Sequence, residues 1–198
     1  MHARFALAAA FALGAVLSPS VSLDARSDIG AFHELTDNRA TLVLRDQTHV
    51  SVTMYLNYTD ALHRVLAPQR TMTEFVVAYS TMPLPALRVE LQKAQTRFIA
   101  QLRLASASGG DVVLRNWSWP DAAAVRDMLQ QQMMQAVVAP GDHAHQPPME
   151  IHVDANASLP IAAMTARFPA EFQRVLVVSY KPNQVWVDPL LPSPRISF

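Results

Sequence analysis

One alternating run, residues 48–58, constrains the fold of this chain more than any other feature. Its apolar residues fall at every second position: Val50, Val52, Met54, Leu56 and Tyr58. A period of two is that of a strand with one buried face, because successive side chains point to opposite sides. A second apolar segment, residues 40–45, precedes it across Asp46-Gln47. We predict a β-hairpin that covers a core with one face.

Helices are predicted between the strands. Thr59-Asp60 offers an N-cap to a short helix, residues 61–66, and Thr71 with Glu74 has the spacing of a capping box for a helix that ends near Ser80. A third helix is predicted over residues 86–96.

The clearest helical pattern covers residues 121–138. Pro120 and Asp121 suit its first turn, and Pro140-Gly141 would end it. Apolar residues recur at three- and four-residue spacing: Val125, Met128, Leu129, Met133, Ala136 and Val137. We expect an amphipathic helix that buries its apolar stripe against a sheet.

Further strands complete the pattern. Alternation over residues 98–104, a Gly109-Gly110 turn and an apolar return over residues 112–114 predict a second hairpin. Three more strands are expected over residues 149–155, 161–168 and 174–180, with a short one at 185–187. The fold class predicted is α+β: one domain, residues 26–188, with an antiparallel sheet or sandwich built from hairpins and with inserted helices. Residues 189–198 are expected to form a Pro-rich extended tail.

The first residues have the composition of a secretory signal peptide. Arg4 supplies the positive charge, residues 5–17 are apolar, and small residues follow. The predicted leader is residues 1–25, with cleavage after Ser22 or after Ala25; an uncleaved membrane anchor is the alternative. No later segment has the length and hydropathy of a membrane span, so the predicted product is periplasmic or secreted and has no transmembrane segment.

Composition excludes several classes of function. The chain has no cysteine, so it has neither disulfides nor thiolate nucleophiles, and 51% of its residues are apolar, which excludes a disordered chain. Its formal net charge is zero, so it lacks the excess of positive charge that nucleic-acid-binding domains carry. Motifs of hydrolases, zinc proteases and nucleotide-binding proteins are absent, and no catalytic residue is assigned.

A small set of histidines is the candidate metal site. His143 and His145 share a side of an extended loop, and His152 follows nearby on a predicted strand. The sequence predicts a solvated loop with no ligand and no cofactor, because only two histidines are close in sequence. The alternative is a metal site at these three residues with copper, zinc or nickel as cofactor, since imidazoles bind those ions.

Two tryptophans form a candidate surface for a ligand or partner. Trp117 and Trp119 point to the same side of an extended segment. Such a pair can stack on a sugar or a peptide, or it can pack over the edge of the core.

Four motifs carry a resemblance to an uncharacterised family of proteobacterial exported proteins. They are T-x-x-E-F from Thr71, N-W-x-W-P from Asn116, A-P-G-D-H-A-H from Ala139 and V-S-Y-x-P-x-Q-V-W-V from Val178. The order of elements is also similar to that of extracytoplasmic domains associated with HupE/UreJ-type membrane proteins, which are linked to nickel and other metals. These resemblances imply export but carry over no functional residue.

The function predicted from the sequence is therefore an exported, non-catalytic binding or accessory protein of the cell envelope, with an envelope or membrane protein as partner. The alternative is a periplasmic protein that binds copper, zinc or nickel through His143 and His145, and the third interpretation is an enzyme of unknown type.

Overall fold

The computed structural model describes residues 38–138 and 147–182, all of them within one compact unit, Leu35–Phe198. The predicted leader, the predicted strand at 185–187 and the tail lie outside the described residues, so their predictions stay open. In the two described ranges, no helix combines the length and the hydropathy that crossing a bilayer requires.

A five-stranded sheet forms the frame of the molecule. Its strands along the chain are β1 Asn38–Leu44, β2 His49–Leu56, β4 Val112–Ser118, β5 Met149–Ala157 and β7 Val175–Tyr180. They lie in the sheet in the order β4-β5-β2-β1-β7. The predicted first hairpin is confirmed, because β1 and β2 pair antiparallel with Leu44 opposite Val50. The sheet is nevertheless mixed, since β7 runs parallel to β1.

Within the described residues, four helices supply the other layer: α1 Tyr58–Leu66, α2 Met72–Ser80, α3 Leu84–Gln101 and α4 Ala122–Val138. The capping box of α2 is confirmed, because the Thr71 hydroxyl accepts from the Glu74 N–H while the Glu74 carboxylate accepts from the Thr71 N–H. Helix α1 begins one turn earlier than predicted. Asn57 is its N-cap, accepting from the Asp60 N–H at 3.2 Å, so Tyr58 belongs to the helix and not to β2.

The core is one continuous cluster between the helices and a single face of the sheet. The sheet contributes alternate residues of its central strands, and every helix adds buried apolar side chains. The sheet residues include Ala40, Val52, Met54, Leu56, Ile151 and Val153, and the helix residues include Leu62, Phe75, Leu87, Leu91, Val125 and Leu129. An α+β architecture is thus confirmed, with all four helices on one side.

Helix α4 packs differently from the prediction. Val125 and Leu129 are fully buried, whereas Met128 and Met133 are half-buried at the edge of the core. The helices next to α4 are α2 and α3, and its buried residues Val125 and Leu129 belong to the same core cluster as the buried sheet residues. Its N-cap is Asp121, whose carboxylate accepts from the Ala124 N–H at 2.7 Å.

The predicted second hairpin is also wrong. Residues 98–101 continue α3, because Leu91, Ala94 and Phe98 recur at the spacing of a helix and are buried together. The following strand, β3 (Arg103–Ser106), pairs with β6 (Met164–Arg167) in a separate two-stranded sheet, while β4 pairs with β5. A 3-10 turn, Ala170–Phe172, then leads into β7.

Candidate functional site

The face of the five-stranded sheet that points away from the helices carries hydrogen-bonding side chains. On β1, β2 and β5 the residues between the core positions are half-buried or exposed, apart from the small Ser51. We call this surface the outer face. Its residues on these three strands are Arg39, Thr41, Val43, His49, Ser51, Thr53, Tyr55, Glu150, His152, Asp154 and Asn156.

Asp154 is the centre of a polar cluster on the outer face. Its Oδ1 lies 3.2 Å from His49 Nε2 and 3.4 Å from His152 Nε2. Its Oδ2 accepts a hydrogen bond of 3.0 Å from Asn116 Nδ2. Both carboxylate oxygens are thus engaged, and we call these four residues the Asp154 cluster.

Strand register explains how the Asp154 cluster assembles. In the β2–β5 pair, Asp154 lies opposite Ser51, and His49 is paired with Asn156. His49 is two residues before Ser51 on β2, so it lies diagonally across from Asp154 on the same face of the sheet. His152 is two residues before Asp154 on β5 and therefore points to the same face.

Asn116 reaches the cluster through an irregularity in β4. The β4–β5 register shifts between Arg115 and Ser118, and Asn116 has a φ of 55°. Asparagine tolerates this left-handed conformation better than most residues. The resulting bulge turns the Asn116 amide toward Asp154, which is the kind of redirection that bulges provide.

The electrostatics of the cluster favour an ionised Asp154. The hydrogen bond from Asn116 and then that from His49 lower the pKa of the Asp154 carboxyl below its ordinary value of 3.8. Partial burial raises the pKa, and positive charge on either histidine lowers it further. The cluster is therefore a fixed anion flanked by two imidazoles.

This pKa shift predicts an acid dependence of stability. Because the folded-state pKa is lowered, the stabilisation is complete above the unfolded pKa and is lost as the pH falls through the folded one. We expect Asp154→Asn to lower the free energy of unfolding at pH 6 and to reduce the further loss between pH 6 and pH 3. Urea unfolding at the two pH values measures both.

The matched control for that substitution is Glu150→Gln. Glu150 is exposed on the same strand and the same face, so its loss removes a similar charge without disturbing the cluster. An equal pH dependence in Asp154→Asn and the wild-type chain would contradict the assignment of Asp154.

Thr53 adds a hydroxyl next to the imidazole and the carboxylate of the Asp154 cluster. His152 Nδ1 lies 3.4 Å from Thr53 Oγ1, and His152 Nε2 lies 3.4 Å from Asp154 Oδ1. Nucleophile–base pairs in enzymes lie within hydrogen-bond reach, about 2.6–3.2 Å, although unliganded sites can be looser. These longer separations, in the middle of an open sheet face, fit a binding surface better than a nucleophilic site.

The candidate tryptophans lie together, as their spacing predicts. The Trp117 and Trp119 rings stack with centroids 5.2 Å apart and an interplanar angle of 10°. Trp119 also stacks on the buried Phe98 at 6.3 Å, and Phe98 contacts Phe172 at 4.8 Å. Both indoles are half-buried against the core, and part of each stays accessible, so the ligand or partner surface stays a prediction from the sequence.

Of the three histidines in the candidate metal site, the structure describes only His152. This residue lies half-buried on β5 and faces Asp154. His143 and His145 lie outside the described residues, so their role stays a prediction from the sequence. Within residues 38–138 and 147–182, no group of three or more histidine, aspartate or glutamate side chains is arranged to hold a metal ion.

Sequence reasoning missed His49 and Asn116 as partners of Asp154. Each is distant in sequence from residue 154, and only the pairing of β2 and β4 with β5 brings them together. The available signal was the polar half of each alternating strand, which indicates a shared face but not which residues become neighbours.

Comparison with known proteins gives no relative: no family model, curated protein or solved structure matches this chain.

Proposed function

We propose that this chain is an exported binding or accessory protein of the cell envelope and that the outer face is the surface that contacts its partner. The observation that carries this proposal is the Asp154 cluster, a hydrogen-bonded arrangement presented on a sheet face opposite the helical layer.

Preorganisation supports a binding role. The side chains of the cluster are held by one another and by rigid strands, so a partner does not have to order them on binding. Beside them, the Arg39 guanidinium lies 4.8 Å from the centroid of the Tyr55 ring, directly across the β1–β2 pair. Arginine and tyrosine are enriched at protein interfaces, where each offers a large contact area and hydrogen bonds.

The charge pattern of the outer face favours a protein partner. Arg39 and Arg115 contribute positive charge, while Glu150 and Asp154 contribute negative charge. Nucleic acids and anionic membranes bind positively charged surfaces, whereas protein interfaces combine positively and negatively charged groups. A polar surface of an envelope or membrane protein is therefore the occupant proposed.

Export is the part of the proposal that rests on the sequence. The leader pattern of residues 1–25 and the family resemblance both favour a periplasmic or secreted location. A cysteine-free domain needs no disulfide to fold there.

A substitution on the outer face tests the proposal. Asn156 is exposed directly across from His49, and Asn156→Arg adds bulk and charge to the outer face beside the Asp154 cluster. We expect tagged wild-type chain, crosslinked in the producing cell, to capture a defined envelope protein and the Asn156→Arg variant to lose at least about nine-tenths of it.

Gln92→Arg is the matched control, since Gln92 is exposed on α3 in the opposite layer. This variant should capture the same protein as the wild-type chain, and all three chains should have the same melting temperature. Equal capture by both variants would remove the outer face from the proposal, and recovery of the chain only from the cytoplasm, with its leader intact, would overturn the envelope location.

A further inference from the structure

Two arginines face each other across the small two-stranded sheet. Arg103 on β3 and Arg167 on β6 are directly paired in the antiparallel register, and both are exposed. Side chains in this relation share a face, with Cβ atoms about 4.5–5.5 Å apart. Two guanidinium groups are therefore held on adjacent strands of the same surface.

Such a pair is unfavourable by itself. Like charges directly opposite one another on a sheet are destabilising, whereas opposite charges stabilise. Elsewhere in the described ranges, Arg64 and Arg97 have carboxylate partners, Asp60 and Glu171. Neither Arg103 nor Arg167 forms an ion pair with a carboxylate in the part of the chain that the structure describes. Their charge is thus available to an external anion.

Arg103 and Arg167 line one cleft. It has a volume of about 330 Å³ and lies between the end of α3, β6 and the turn that follows it. Arg103 is held in place, because its Nη1 donates to the Leu102 carbonyl at 2.8 Å at the end of α3. The same Nη1 also donates to the Ile99 carbonyl at 3.5 Å, and both contacts use Nη1 only, which leaves the donors of Nε and Nη2.

The carboxylate beside the cleft does not compete for the arginines. Glu171 is buried on the adjoining 3-10 turn, and its Oε1 lies 3.2 Å from Arg97 Nε. Gln101 Nε2 also donates to this oxygen, at 3.4 Å. Glu171 is therefore paired with Arg97 through Oε1, its buried Oε2 has no hydrogen-bond partner among the described residues, and neither oxygen forms an ion pair with Arg103 or Arg167 there.

We propose that Arg103 and Arg167 form a binding site for a phosphate dianion. Guanidinium groups bind phosphate through paired N–H donors, and two of them on one surface match the charge and the several acceptor oxygens of a dianion. A single carboxylate would neutralise only one of the two charges. The same chemistry is offered by inorganic phosphate and by the monoester headgroup of a lipid. This site lies on the two-stranded sheet and is independent of the proposed function of the outer face.

Titration of the full chain with inorganic phosphate, at constant ionic strength in chloride, tests the site. Isothermal titration calorimetry measures the binding. We expect the wild-type chain to bind one phosphate saturably and Arg167→Gln to bind it at least about tenfold more weakly. Arg88→Gln is the control, because it removes the same charge from an exposed position nearer the start of α3. It should change the affinity less than about twofold.

Vesicles distinguish the two sources of phosphate. Phosphatidylcholine vesicles containing phosphatidic acid should bind the wild-type chain, and free phosphate should compete, if the lipid headgroup reaches the cleft. Binding of inorganic phosphate without binding to these vesicles would assign the site to a soluble phosphate. Both results support the proposal, whereas absence of saturable phosphate binding overturns it.

A stability measurement separates this role from a structural one. Removing a like charge should leave Arg167→Gln as stable as the wild-type chain, or slightly more stable, in the absence of phosphate. Phosphate should raise the melting temperature of the wild-type chain and of Arg88→Gln, but not that of Arg167→Gln. A lower melting temperature of Arg167→Gln without phosphate, or an equal phosphate effect in all three chains, would contradict the proposal.

Discussion

Leu129→Asp is expected to abolish the cooperative unfolding of the domain. Leu129 is fully buried on the side of α4 that packs against α2 and α3. The substitution removes a core side chain and leaves an unpaired carboxylate among apolar neighbours, and each effect costs several kcal/mol. Native domains are stable by only about 5–15 kcal/mol, so the sum removes most or all of that margin. Circular dichroism during thermal unfolding is the measurement.

Met134→Asp on the same helix is the matched control. Its side chain is 56% exposed, so the new carboxylate stays hydrated. We expect a loss of at most about 1 kcal/mol, mainly from the lower helix propensity of aspartate. Met128→Asp should fall between the two, since Met128 is half-buried at the edge of the core. Similar melting curves for Leu129→Asp and Met134→Asp would show that the buried side of α4 is assigned incorrectly.

The elements that local signals define were predictable from the sequence. The alternation of Val50, Val52, Met54 and Leu56 gives the buried face of β2, and Thr71 with Glu74 gives the start of α2. These signals depend on neighbours in sequence: side-chain alternation along a strand, or a cap satisfied within one turn.

Where two local patterns compete, the pattern that predicts a strand is wrong. Phe98 belongs both to a helical series with Leu91 and Ala94 and to an alternating series with Leu102 and Leu104. The structure follows the helical series, because it places Phe98 in the core beside Phe172. Tertiary burial decided between patterns that sequence alone left equivalent.

The candidate site required information that no local pattern contains. Polar residues on β2 and β5 predict an outer face, but a shift of one residue in the pairing would turn each strand over. The observed register puts Asp154 within reach of His49, which is more than a hundred positions away in the chain. The bulge that adds Asn116 depends equally on the pairing of β4 with β5.

Phe98→Ala is expected to lower the free energy of unfolding by about 3–5 kcal/mol. Phe98 is fully buried and links two parts of the molecule, since its ring contacts Phe172 beside β7 and stacks on Trp119 at the end of β4. The substitution leaves a cavity that both remaining rings line, and aromatic contacts contribute beyond their buried area. Urea unfolding followed by circular dichroism measures the loss.

The neighbouring residue supplies the control for this prediction. Ile99 follows Phe98 on α3 but is 38% exposed, so Ile99→Ala should change the free energy of unfolding by less than about 1 kcal/mol. The contrast between these adjacent positions tests which side of α3 faces the core. In a helix the two side chains point about 100° apart, and only Phe98 faces the core, at the spacing that buries Leu91 and Ala94. Equal losses at both positions would show that the buried side of α3 is assigned incorrectly near its end.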